Sequence, residues 1–311
     1  MNSNTRAYFA LGLVCFFWGT TYLVARIGVS GFPAFFFMGT RNVIAGSILL
    51  TCLTIRQRSF HWSAADIGLQ VIPGLCMVTL GTGLVGWSVQ FIPSGLAALI
   101  CSTIPIFTMI INMIFGREQA INWRIIVGMF LGLCGIALIF RDNLEFVNNP
   151  KAFIGIIVAL GSCVFWCFGG LYTKIFVPRT DSFFNAAIQM LAGGVGLFIL
   201  SSVNEDWGHL PAMTTKSLLA LLYLIFFGSI LAFGSYLYAL AKLPVGLVSV
   251  YAYINPLVAI ILGFLILQEK VTWLTCLAFV VTMTGVYLVN AGYRAGKRSV
   301  SVLKMNISHD Q

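Results

Sequence analysis

The chain has 311 residues, of which 9% are charged and 59% hydrophobic, with a formal net charge of +9. A soluble domain carries roughly 25% charged residues, so water is excluded as the solvent for most of this surface. The positive charge sits in short breaks between apolar runs rather than in one patch or stripe, which argues against a nucleic-acid partner and for membrane topology.

In chain order the apolar runs cover 7–28, 34–55, 67–91, 94–115, 122–140, 152–174, 183–203, 217–241, 244–267 and 271–291. Crossing a bilayer as a helix takes about 20 predominantly apolar residues. The runs therefore predict an all-α integral membrane protein with ten transmembrane helices. The first run follows Arg6 and superficially resembles a signal peptide, but it is too long and lacks a small-x-small cleavage site, so it reads as a retained span. With the N-terminus inside, the cytoplasmic loops and termini hold Arg6, Arg56, Arg58, Arg117, Arg124, Lys174, Arg179, Lys242, Arg294, Lys297, Arg298 and Lys304. The opposite loops hold only Arg141, Lys151, Lys216 and Lys270. Twelve basic residues against four place both termini of a multi-pass membrane protein in the cytoplasm.

All eight cysteines lie inside apolar runs and read as small apolar side chains, not as a disulfide framework. Cys163 and Cys167 are one helical turn apart, but His61, His209 and His309 all fall in loops or the tail, so no metal site is expected.

A long-period repeat runs through the chain. A shift of 151 lays Pro93, Gly95, Pro105 and Glu118 on Pro244, Gly246, Pro256 and Glu269, and Gly83 on Gly234. A shift of 150 lays Trp123 and Gly135 on Trp273 and Gly285, and one of 148 lays Trp18 and Arg26 on Trp166 and Lys174. Each copy holds an odd number of spans, so the second must enter the membrane from the opposite side. The expected architecture is two inverted five-helix repeats, 1–145 and 146–293, followed by a basic cytoplasmic tail, 294–311. Inverted repeats form inward-open and outward-open states from near-equivalent contacts, with a substrate site near the midplane between them.

The candidate cavity residues follow from what is out of place in lipid. Pro105 and Pro256 break or bend spans four and nine near their middles. Tyr251, Tyr253 and Asn255 bring polar groups to the same depth, opposite Ile100 and Ile104 of the other repeat, so one wall is polar and one apolar. Trp18 and Trp166 lie midspan, away from the interfacial belt where tryptophan usually sits, with Thr21 and Gly169 one turn on or close beside them. Spans three and eight add Gly83, Trp87 and Gln90, with Gly234, Tyr236 and Tyr238. Each of these also has an ordinary packing role in a helix bundle; their convergence from several helices makes them candidates.

Two arginines lie inside spans. Arg26, near the outer end of span one, is placed to snorkel to the interface. Arg41, about two turns into span two, is deeper and placed to attract an anionic group such as a carboxylate. All nine acidic residues fall in loops or at span ends, which disfavours proton-coupled efflux of organic cations. Glu118 and Glu269 are expected to cap helices or pair with Arg117 and Lys270. Gly128, Gly132 and Gly135, with Ala278, Thr282 and Gly285, form close faces that either pack the fifth helix of each repeat or make a homodimer contact.

The stretches WGTTYLVARIG (18–28), TRN (40–42), PSGLAAL…P (93–105) and FGS…YAYINPLVA…E (227–269) together resemble the EamA family of the drug/metabolite transporter superfamily, over nearly all of residues 7–291. The resemblance implies a central cavity lined by the first four helices of each half, with the fifth helices peripheral. Its cavity-facing motifs fall on Trp18, Thr21, Trp87, Trp166, Tyr238, Tyr251 and Asn255. It also implies export. The expected protein is a secondary transporter of small metabolites such as amino acids or amphipathic compounds, with rival readings as a lipid or drug flippase or a channel-like permease. No enzyme constellation and no cofactor are expected; the expected partners are the small-molecule substrate and the bilayer.

Overall fold

The computed structural model describes residues 3–56, 63–114, 122–142, 149–176, 181–243, 248 and 251–309, and every regular element within them is helical. The helices are α1 (Ser3–Gly28), α2 (Ala34–Arg56), α3 (Ala64–Ser88), α4 (Ser94–Cys101), α5 (Ile104–Ile114), α6 (Trp123–Asp142), α7 (Pro150–Phe176), α8 (Ser182–Asn204), α9 (Thr215–Lys242), α10 (Tyr251–Leu267) and α11 (Trp273–His309). Six of them, α1, α2, α3, α7, α8 and α9, are long and apolar enough to cross a membrane; the remainder include shorter apolar stretches. A helix satisfies its own backbone where lipid offers no hydrogen bonds. Phe9, Phe16, Ile157, Ile199, Phe226 and Leu265 are exposed, an apolar surface suited to acyl chains.

Local chemistry sets the helix ends. Gly31, at φ 80°, takes the left-handed conformation that turns α1 toward α2. The Asp181 side chain accepts from the Phe183 and Phe184 amides at the start of α8, and Ser63 with Asp66 forms a capping box on α3.

Three interruptions shape the interior. Pro105 lacks the N–H that would bind the Cys101 carbonyl, and its ring crowds that oxygen, so α4 ends at Cys101. Ser102 and Thr103 then donate their hydroxyls to the Leu99 and Ile100 carbonyls at 2.6 Å each. Pro256, by contrast, stays within an unbroken α10. The other two interruptions are π-helical segments, Gly74–Gly83 in α3 and Leu224–Leu231 in α9. They widen the helix and re-aim the residues they carry.

Glycines let backbones approach. A methyl group on Gly74 would lie 2.7 Å from the Gln189 carbonyl oxygen, so α3 and α8 meet only because none is there. A methyl on Gly128 would lie 2.6 Å from the Gly285 oxygen. The small residues of α6 and α11 therefore pack these two helices on each other within one chain. A cluster of Ile106 of α5, Ile125 of α6, and Val286 and Val289 of α11 is separate from the main core, which joins α1–α4 to α7–α10.

Candidate substrate cavity

Within the main core a cavity lies among α1, α2, α3, α4, α5, α7 and α10. It measures about 70 Å³ as space open to the centres of water molecules. A cavity needs about 10–15 Å³ to take one water, so this conformation has room for a few waters, and the helices must part to admit a metabolite.

One end of the cavity is aromatic. Trp18 meets Trp166 and Tyr251 edge-on, each at 5.2 Å between ring centres, and lies tilted on Tyr236 at 5.0 Å. These separations suit aromatic pairing. The polar handles are satisfied inside the protein: Trp166 Nε1 donates to Tyr251 Oη at 3.2 Å, and Trp18 Nε1 donates to the Gly228 carbonyl at 3.2 Å. The Gly228 carbonyl lies in the π segment of α9.

Arg41 lines the same cavity and is only 6% exposed. Its Nε donates to Ser229 Oγ at 2.8 Å, and Nη1 approaches the Met38 sulfur at 3.9 Å. Among the described residues no carboxylate pairs with it. Thr21, Thr82 and Ser162 also face the cavity, and their hydroxyls donate to their own helix carbonyls at Trp18, Val78 and Ala159. They present lone pairs, not protons, to the space.

Trp18, Thr21, Arg41, Trp166 and Tyr251 thus all line this one cavity. The remaining expected residues sit elsewhere. Gly83 faces Leu197 of α8, and Gly169 faces Met77 and Cys76 of α3, each in tight packing. Trp87 stacks on Phe35 at 6.2 Å and 7°. Tyr238 lies in a separate, more open groove of about 420 Å³ beside Arg6 and Phe183. Asn255, with its amide turned as its neighbours require, donates to the Cys15 carbonyl at 2.9 Å and the Tyr251 carbonyl at 3.1 Å, and so ties α10 to α1. Pro105 and Pro256 are buried. The side chain of Tyr253, and Arg117 and Glu118 altogether, lie outside what the structure describes.

Arg26 does not simply snorkel. Its Nη1 donates to Glu269 Oε1 at 2.6 Å, and the same carboxylate accepts from Ser94 N at 2.9 Å, Ser94 Oγ at 2.8 Å and Gly95 N at 3.3 Å. Glu269 thus caps α4, one of its two expected roles, and its ion pair is with Arg26 and not with Lys270. Glu205 does likewise for α2, accepting from the Phe35 and Phe36 amides at 2.8 and 2.9 Å and from Ser201 Oγ at 2.6 Å. A negative charge at a helix N-terminus is favourable. Sequence reasoning also missed a buried amide chain in which Gln189 Nε2 donates to Gln70 Oε1 at 2.8 Å and Gln70 Nε2 donates to Asn185 Oδ1 at 3.1 Å.

The model of the EamA-like transporter family matches residues 5–141 and again 153–291. The chain belongs to this family. Its sequence is 34% identical over 290 residues to the uncharacterized inner membrane transporter YedA of Escherichia coli (strain K12), covering 92% of this chain and 90% of that protein. It is 24% identical to the uncharacterized transporter YvbV of Bacillus subtilis (strain 168), covering 94% of each chain. It is 23% identical over 304 residues to a probable amino-acid metabolite efflux pump of Escherichia coli (strain K12), covering 91% of this chain and 94% of the relative. A crystal structure at 15% identity superposes with a TM-score of 0.66 over 94% of this chain and 98% of its own, a likeness of fold.

Proposed function

We propose that this EamA-family protein is a secondary transporter of the inner membrane that exports small metabolites by alternating access. In this reading it crosses the membrane ten times as two inverted five-helix halves, 1–145 and 146–293, with both termini and the tail 294–311 cytoplasmic. The observation that carries the reading is a part-polar cavity enclosed by helices from both matched segments, α1–α5 from one and α7 and α10 from the other. A buried polar space inside an otherwise apolar bundle is expensive unless it receives something.

Two further features support it. The π-helical segments of α3 and α9 fall at 74–83 and 224–231, positions related by the repeat; the first lines the cavity at Gly81, and the second holds the lining residue Trp18 through the Gly228 carbonyl. Deformable helix turns at equivalent places give both halves a site at which to bend. The names of relatives, an inner membrane transporter and a probable amino-acid metabolite efflux pump, favour small amphipathic metabolites as cargo. No described carboxylate lines the cavity, which favours facilitated movement or exchange over proton coupling.

The test compares metabolites in the medium of overexpressing and deletion strains, followed by uptake of the accumulated compound into proteoliposomes. Saturable flux accelerated by unlabelled compound on the far side is expected. Non-saturating conductance would replace the carrier with a channel, movement of labelled lipid would replace it with a flippase, and strict dependence on a pH gradient would contradict facilitated movement or exchange.

A further inference from the structure

The cavity holds a charge that no carboxylate among the described residues answers. Arg41 is 94% buried, being 6% exposed, and a guanidinium has five N–H donors. One of them goes to Ser229 Oγ, and the nearest other contact is a thioether sulfur, a weak acceptor. The acidic side chains that are described, Asp66, Asp181, Glu205, Asp206 and Glu269, have partners elsewhere. An unpaired charge in such a setting costs several kcal/mol, so retaining it inside a cavity wall calls for a counter-charge that comes and goes.

Resting on the transport reading above, we propose that the cavity takes an organic carboxylate, its two oxygens gripped by the Arg41 fork and its apolar body laid against Trp18, Trp166 and Tyr251. The pieces fit this class and exclude its opposite. A guanidinium engages a carboxylate through paired N–H groups. Gly228 leaves room for the guanidinium, since a methyl there would lie 2.9 Å from Arg41 Nη2 and 2.9 Å from Thr21 Cγ2. The rings of Trp18, Trp166 and Tyr251 line the same cavity and supply apolar area. An amine gains only the lone pairs of Thr21, Thr82 and Ser162, with no carboxylate to neutralise it, so a simple organic cation meets a like charge and nothing to offset it.

Three probes that differ by one group test the proposal: L-leucine, its deaminated relative 4-methylpentanoate, and its decarboxylated relative 3-methylbutylamine. Thermal unfolding of the purified full chain in detergent is measured with increasing amounts of each. Ligands that bind the folded state raise its melting temperature. The expected result is saturable stabilisation by at least one of the two carboxylates and none by the amine. If leucine alone acts, the ligand is an amino acid, and if 4-methylpentanoate also acts, the carboxylate suffices. Arg41→Gln should weaken the response about tenfold or more, and Arg41→Lys should restore part of it by returning the charge without the fork. Stabilisation by the amine, by neither carboxylate, or by a carboxylate equally in Arg41→Gln overturns the proposal. Binding that depends on Arg41 without movement across proteoliposomes would contradict transport and leave the site. Flux of a metabolite that ignores Arg41→Gln would contradict the site and leave transport.

Discussion

Arg26 and Arg41 both project from apolar helices near one end of the bundle, and the protein treats them differently. Arg26 is one-third exposed and tied to a carboxylate that also caps α4, so its charge is part of a clasp joining α1, α4 and the segment after α10. Arg41 is buried on a cavity and answered by one hydroxyl. The contrast separates two uses of charge in a membrane. A paired charge fixes helices, whereas an unpaired one facing open space is held for a ligand.

Several substitutions break or sharpen that contrast. Glu269→Ala removes the partner of Arg26 and the cap of α4 together, and it should lower stability by about 2–3 kcal/mol, read as a fall in melting temperature and in folded yield. Arg26→Gln leaves the cap in place and should cost about 1 kcal/mol. Glu205→Gln weakens the cap on α2 without orphaning a cation, and a loss of about 1 kcal/mol or less is expected by the same assay. Arg41→Gln should change stability little or raise it, because it removes a charge the folded protein does not neutralise. A marked fall in the melting temperature of ligand-free Arg41→Gln would mean that Arg41 is a structural residue like Arg26. The smallest effect is expected from Gly228→Ala: its methyl presses on the movable end of Arg41 and on Thr21 Cγ2, so carboxylate affinity should drop a few-fold with a small fall in melting temperature.

Much of the helix plan is legible in the sequence because lipid punishes charge so uniformly. The apolar run 34–55 corresponds to α2 at Ala34–Arg56, and 183–203 to α8 at Ser182–Asn204, each bounded by polar or charged residues. The pairing of α6 with α11 is legible too, in the spacing of Gly128, Gly132, Gly135 and Gly285. What stays hidden depends on partners distant in sequence. Pro105 and Pro256 are related by the repeat, yet only the first ends a helix, where Ser102 and Thr103 can turn their hydroxyls back on the freed turn. The π segment of α9 has no proline to announce it. Helix rotation is likewise set by neighbours: Trp18, Thr21 and Arg41 face the cavity, while Tyr238 turns toward Phe183 and Asn255 toward the Cys15 carbonyl. Glu269 looks toward Lys270 in the sequence and finds Arg26, 243 positions away, in space.

The most direct test is counterflow in proteoliposomes that hold either the unaltered chain or Arg41→Gln at equal inserted amounts, using the labelled carboxylate that gives the larger thermal shift. The account predicts saturable uptake, faster when unlabelled carboxylate waits inside, and at least about tenfold weaker at low concentration in the variant. Uptake that rises linearly with concentration, or that is the same in both preparations, would contradict it.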